Sequence, residues 1–315
     1  MRPCYFLNGL ALSSGFPLPM PPHDTEVAPA LRLDRVAPPR LRARWRERAA
    51  TWLWSGRLGD GRTLQAWRNE EGSALFVYSG RASFLFDPVR RSLWCSPQSE
   101  GLHWLRVLLT KVLPFVSVMQ GFEALHASAV ETPEGALAIL AASGAGKSTL
   151  AAELLDRGGR LICDDILTLE RTAGGVRACP GSPHMNLPVL AAEPDAPPRG
   201  SCLGVLDGER WLAVDECARR PSAIRALCLL TRGVDGPLRV RRLRPAPQLL
   251  APYMLGFDAG QARARARFAT CAELAASAAT LEVSVGPRDR AGEIADAIEA
   301  ELQAAASSTM LGVGA

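Results

Sequence analysis

Lys147 and Ser148 lie in a stretch, Ala141 to Thr149, that reads AASGAGKST and follows directly on the apolar run Ala136 to Leu140. A strand that feeds a loop of small residues, which then opens a helix, is suited to holding phosphate. The loop N–H groups face inward around the anion and the helix start adds its positive end. Ser143, Gly144, Ala145, Gly146, Lys147, Ser148 and Thr149 are therefore the expected nucleotide-binding residues. Gly144 and Gly146 allow backbone angles and close approach that a side chain would forbid. Lys147 carries a point charge to the β- and γ-phosphates, and Ser148 offers a hydroxyl to Mg²⁺. Against the pattern G-x-x-x-x-G-K-[ST], the first glycine is Ala141, the smallest deviation available, and the inner turn is intact. The stretch predicts a site for a nucleoside triphosphate with Mg²⁺.

Asp164 and Asp165 follow the short apolar run Arg160 to Cys163. Where a strand ends beside such a loop, acidic side chains come within reach of the terminal phosphate and its metal. Two adjacent carboxylates can divide the work: one holds the metal directly or through water, the other orients an attacking hydroxyl or accepts its proton. A strand-end turn with two solvated acids is the plainer alternative. The 36 basic residues include only two lysines, Lys111 and Lys147. A chain that is otherwise arginine keeps one of its lysines where phosphate chemistry wants a compact charge, although an arginine-rich coding bias alone gives the same ratio.

These side chains need a framework. At 315 residues the chain is long enough for a β-rich unit over 1–98 and a larger α/β unit over 99–315. In the first unit, short alternating runs such as Thr51 to Trp54 and Ala74 to Tyr78 are punctuated by turn signals at Gly59 to Gly61 and Glu71 to Ser73, and Pro38-Pro39 argues against helix. Six of the seven tryptophans fall between Trp45 and Trp104, as expected for core and sheet-face packing. Apolar spacing predicts a helix over 101–120, kinked or ended by Pro114. Strands at 124–130 and 136–140 flank a turn, and the helix Ser148 to Asp156 is stopped by Gly158-Gly159. A strand at 160–163, a hairpin at 166–170 and 176–179, a Pro/Gly-rich loop at 191–210, a buried strand at 224–230 and alanine-rich helix over 248–306, broken at 281–285, complete the expectation.

Several function classes are disfavoured. Net charge is +4 and pI near 8.7, but the arginines alternate with acids, and the runs at 41–48 and 262–267 read as solvated helix faces rather than a nucleic-acid stripe. Eight cysteines without a C-x-x-C suggest a reducing cytoplasm, and four histidines without paired spacing argue against zinc. No run approaches 18 apolar residues, so neither a membrane span nor a signal peptide is expected.

His126 on its strand, AASGAGKST at 141–149, Glu153-Leu154, Arg157-Gly158 and RLICDD at 160–165 together resemble the central segment of the HPr serine kinase/phosphorylase family, which shares a core with phosphoenolpyruvate carboxykinase. The resemblance implies an α/β fold with a P-loop kinase core of that type and a smaller β-rich N-terminal domain. It implies that Lys147 and Ser148 serve ATP and Mg²⁺, that Asp164 is the base activating a serine hydroxyl, that Asp165 assists the metal, and that His126 stands near the transferring phosphate. Read from the sequence without the family, His126 is equally a packed strand histidine. Ala127 replaces the family's glycine, and the second signature downstream has no counterpart, so neither phosphorolysis nor a hexamer is implied. Whether the chain forms a homo-oligomer stays open.

The opening, Tyr5 to Pro19, and the segment Pro180 to Pro188 resemble HPr-kinase-related proteins encoded with peptide natural products, some of which phosphorylate a serine of a lasso-peptide precursor. Peptide recognition is expected there and in the N-terminal unit. The expected activity is ATP-dependent phosphorylation of a serine or threonine hydroxyl on a peptide or small protein, with no nucleic-acid or membrane partner. A small-molecule kinase and a non-catalytic nucleotide-binding scaffold are the alternatives.

Overall fold

The computed structural model describes residues 2–23, 28–45, 50–189, 200–233, 236–257 and 261–311. Asn8 and Gly9, both at positive φ, turn β1 (Cys4–Leu7) back into β2 (Leu10–Ser14); an Asn-Gly pair meets the demand of a two-residue hairpin turn at low strain. With β3 (Leu31–Arg35), β4 (Thr51–Arg57), β5 (Thr63–Arg68), β6 (Ala74–Tyr78), β7 (Ala82–Asp87) and β8 (Ser92–Pro97), they form an eight-stranded sheet ordered β1-β2-β3-β8-β7-β6-β5-β4. Between β3 and β4, Pro38 and Pro39 open α1 (Pro38–Arg44) instead of preventing it. Proline in the first helical turn gives up an N–H that has no intrahelical partner.

A helical segment packs on this sheet: α2 (His103–Val107), a π-turn (Leu108–Val112) and α3 (Leu113–Met119). Pro114 neither ends the segment nor stands alone in it. The π-turn immediately before it has already interrupted the i→i−4 ladder, so the missing proline N–H breaks nothing further. Phe115 of α3, Phe76 of β6 and Phe257 form a cluster of near-parallel rings, with centroids 4.6 Å apart for Phe115–Phe257, 6.1 Å for Phe76–Phe257 and 6.3 Å for Phe76–Phe115. The apolar core that contains them runs from Tyr5 through the helical segment to Ala124, Ile166 and Trp211.

The rest of the chain is β9 (Glu123–Thr132), β10 (Gly135–Leu140), α4 (Lys147–Asp156), β11 (Arg160–Cys163), β12 (Ile166–Thr172), β13 (Gly175–Ala178), β14 (His184–Pro188), β15 (Gly200–Leu206), β16 (Glu209–Val214), β17 (Ser222–Arg232), β18 (Arg239–Arg242), α5 (Gln261–Ser277), β19 (Ala279–Val285) and α6 (Ala291–Leu311). The second sheet runs β10-β9-β12-β13-β17-β19-β18, and β10 also pairs with β17, which closes five strands into a ring. β14, β16 and β15 form a third, antiparallel sheet. The molecule is thus mixed α/β with several sheets.

Two further sequence expectations need correction. Residues 200–210 are not loop: β15 and β16 make a hairpin turning at Asp207-Gly208, φ 57° and 80°, while the preceding 191–199 lie outside the described residues. Helix does not begin at 248 but at Gln261, after two 3-10 turns, Pro247–Leu249 and Ala251–Tyr253. β11 pairs antiparallel with β9. Among the described residues, no helix is long and apolar enough to cross a membrane, and all eight cysteines are free.

Candidate active site

Register on β9 brings the candidate residues together. Ala127 of β9 pairs with Leu140, the last residue of β10, and His126 pairs with Ile166, the first residue of β12. The loop leaving β10 and the Asp164-Asp165 link entering β12 therefore meet at one point along one strand. β9 also presents Ser128, two residues on from His126 and so on the same face.

The loop has the conformation its glycines suggest. Gly144 and Gly146 take φ of 77° and 102°, and Gly146 leads into α4 from the left-handed region. Ala141 is buried and does not take up a left-handed angle, which is why alanine serves where glycine is usual. Ser143, Gly144 and Thr149 are exposed at the loop mouth, and Ala145, Gly146 and Ser148 are partly so. Lys147 is buried at 7% exposure; its Nζ donates to the Ala141 and Ala142 carbonyls at 3.1 and 3.3 Å. Burial pulls the Lys147 ammonium down from its ordinary pKa, the two aspartates oppose this, and Lys111 adds to it. At the far end of α4, Gly158 at φ 96° and Gly159 return N–H bonds to Leu155 and Leu154, the C-cap that the sequence predicted.

The two aspartates have different surroundings. Asp164 is buried and its carboxylate accepts three hydrogen bonds: Ser128 Oγ at 2.6 Å, Ser148 Oγ at 2.9 Å and the Asn186 N–H at 3.0 Å. Burial raises its pKa above the usual carboxylate value, against the pull of those donors. Asp165 is partly exposed; its carboxylate forms an ion pair with Lys111 Nζ and lies 3.1 Å from His126 Nδ1. Burial would raise its pKa too, but the Lys111 ammonium and then His126 outweigh it and hold the carboxyl far below the ordinary range. His126 Nε2 faces Lys147 Nζ at 3.3 Å. These contacts agree when the imidazole carries its hydrogen on Nδ1, which then donates to Asp165 while Nε2 accepts from the ammonium. Asp165 also holds φ at 80°, a left-handed angle that is costly for a non-glycine residue and is fixed here by the Ala127 N–H donating to its carbonyl at 3.1 Å.

All residues that the sequence put forward are in this one place. Sequence reasoning missed four neighbours. Ser128 was discoverable from the two-residue strand period starting at His126. Lys111 was visible as the second lysine, but nothing in the sequence tied the segment 101–120 to the site. Asn186 reaches Asp164 through its backbone, which no side-chain pattern reports. Arg232, at the end of β17, donates to the carbonyls of Ala145 and Gly286 at 3.0 and 3.2 Å and so braces the loop, a role set by the parallel pairing of β10 with β17.

The donor set fits Mg²⁺ in a supporting role. That ion usually takes one or two protein oxygens together with phosphates and water, and the Ser148 hydroxyl beside the Asp164 carboxylate offers such oxygens. Among the described residues there is no group of three or more His, Cys, Asp or Glu side chains able to hold a metal without a ligand's help.

No protein-family model matches the chain, and no curated protein does. Among solved structures, the Hpr(Ser) kinase/phosphatase from Coxiella burnetii is similar over 59% of this chain and 98% of its own, at 14% identity and a TM-score of 0.32. A likeness that distant decides nothing about the site.

Proposed function

We propose that the chain is an ATP-dependent phosphotransferase with a P-loop core of the HPr kinase type, acting on a serine or threonine hydroxyl of a peptide or small protein. The observation that carries this reading is the meeting, at one loop mouth, of the Ser148–Asp164 pair with the line Lys147, His126, Asp165. One pair suits the metal side of a triphosphate; the line suits its terminal phosphate and the acceptor.

The geometry favours the reverse of the division of labour that the family resemblance suggested. Ser148, the hydroxyl expected to meet the metal, bonds to Asp164 and not to Asp165. Asp164 is enclosed by three donors, whereas the Asp165 and His126 side chains are 28% and 31% exposed and so open to an incoming hydroxyl. We therefore assign Asp164 to the metal side and Asp165 to the acceptor side. Mg²⁺ held there would neutralise charge on the transferring phosphoryl group. Lys147 contributes a positive charge beside the loop amides. Asp165 orients the acceptor hydroxyl; a carboxylate held so far below its usual pKa is a weak base, but loose phosphoryl transfer asks for positioning first.

A peptide acceptor is supported by the segment 180–188. The Asn8 N–H at the first hairpin donates to the Pro180 carbonyl at 2.6 Å, and six residues later the Asn186 N–H reaches Asp164. One extended stretch thus joins the N-terminal sheet to the site. The test is incubation of the protein with γ-labelled ATP, Mg²⁺ and serine- and threonine-containing peptides, including any encoded beside the gene, followed by intact-mass measurement. One added phosphate on a peptide, lost in Asp165→Asn, is expected. Nucleotide binding with no transfer to any hydroxyl would refute the assignment and leave a scaffold.

A further inference from the structure

The proposed phosphotransfer site contains both lysines of the chain. Lys147 belongs to the loop, but Lys111 comes from the helical segment that packs on the N-terminal sheet, and its Nζ pairs with the acceptor-side carboxylate of Asp165. Lys111 lies in the π-turn Leu108–Val112. A π-turn is a rare feature that concentrates at functional positions, and its i→i+5 bonding brings residues five apart toward one face. Here those residues are Arg106 and Lys111. Arg106 pairs with Asp207 and Glu209 on the β15–β16 hairpin, and the Thr110 hydroxyl donates to the Arg106 carbonyl at 2.8 Å. The helix is thereby pinned on one side of Lys111, and the lysine is aimed at Asp165.

The charges show why such a lysine is useful. Two carboxylates, Asp164 and Asp165, face the mouth of a loop that is to receive a triphosphate. The terminal phosphate, beyond Lys147, comes next to Asp165, and like charges that close repel strongly where water is scarce. The α- and β-phosphates stay within the loop and are farther away. We infer that Lys111 is a positioning residue that cancels the charge of Asp165 so that the site admits a terminal phosphate, and that it thereby sets the preference for nucleoside triphosphate over diphosphate. An ion pair kept only to hold the fold would make no such distinction.

The inference rests on the phosphotransfer reading, and one set of titrations separates the two. MgATP and MgADP are titrated into the wild type, Lys111→Met and the double variant Lys111→Met/Asp165→Asn. In Lys111→Met the affinity for MgATP is expected to fall at least about tenfold, a modest part of the repulsion between unscreened charges a few ångströms apart, while that for MgADP stays within about threefold. The double variant, which removes both charges and keeps both shapes, is expected to recover MgATP binding to within about threefold of wild type. It also controls for folding, since it retains the lysine-to-methionine change. An unchanged ratio of the two affinities in Lys111→Met, an equal loss of both, or no recovery in the double variant would each overturn the inference. A wild type that binds neither nucleotide would overturn the phosphotransfer reading itself, and this inference with it.

Discussion

Replacing Asp164 tests the metal-side assignment and separates charge from hydrogen bonding. Its carboxylate accepts from two hydroxyls, Ser128 and Ser148, and from one backbone amide, Asn186. Asparagine can turn its carbonyl to the Asn186 N–H, which cannot move, and its NH₂ to the two serine oxygens, which can rotate to accept. All three contacts then survive as neutral bonds. Charge-assisted bonds are each worth roughly 0.5–1.5 kcal/mol more than neutral ones, but a carboxylate whose pKa is raised by burial also gives back the cost of keeping its charge. The opposing terms leave Asp164→Asn within about 1 kcal/mol of wild type in stability. Asp164→Ala differs: the hydroxyls can turn elsewhere, while the Asn186 N–H is left without an acceptor, and the expected loss is about 2–3 kcal/mol. Urea unfolding at neutral pH measures both. Calorimetric titration of ATP with and without Mg²⁺ supplies the functional half. Wild type should bind more tightly with the metal present, and Asp164→Asn should lose most of that gain. Asp164→Asn that is strongly destabilised, or that responds to Mg²⁺ as the wild type does, would refute the reasoning.

Other predictions follow from the same geometry. Asp165→Asn should lower the transfer rate by roughly 10²- to 10⁴-fold with MgATP affinity equal to or tighter than wild type, as single-turnover assays would reveal; a rate within tenfold of wild type speaks against the acceptor-side role. Lys147→Met should abolish nucleotide binding but leave the unliganded protein at least as stable, because the ammonium is held against the cost of burial. Paired calorimetry and thermal melts would show it, and a clear drop in melting temperature would count against it. His184 is buried, with Nε2 2.8 Å from the Pro19 carbonyl, and burial lowers its pKa from 6.5 to about 4. The unfolded chain then binds the extra proton between pH ~6.5 and ~4, so stability is full above that window and about 3 kcal/mol of it is lost on descending through it. The stability of His184→Gln relative to wild type should improve on acidification over the same range; a pH-independent difference would exclude the buried neutral imidazole as the cause.

How far the sequence carried depended on whether a feature is local. The phosphate loop, its strand and its capped helix are legible because φ at Gly144, Gly146 and Gly158 and the run Ala136 to Leu140 are set by adjacent residues. The pairing of β9 with β10 and of β12 with β13 was legible for the same reason, since tight turns fix register. The β15–β16 hairpin was hidden because its turn, Asp207-Gly208, adjoins a Pro/Gly-rich stretch that reads as loop, and α1 because Pro38-Pro39 opens a helix as readily as it forbids one. At the site, Asp164, Asp165, Lys147 and Ser148 could be named from spacing. Which acid belongs on the metal side of the proposed site could not, because the enclosure of Asp164 is made by Ser128 and Asn186, 36 residues before it and 22 after it. Lys111 was beyond reach because only tertiary packing of the π-turn segment brings it to Asp165.

The most direct test of the central claim is a structure of the protein with Mg²⁺ and a non-hydrolysable ATP analogue. The terminal phosphate should lie alongside the line Lys147, His126, Asp165, in contact with Lys147 Nζ, with the metal at Ser148 and Asp164. An analogue bound away from the loop 141–149, or a metal on Asp165 with Asp164 left unengaged, would contradict it.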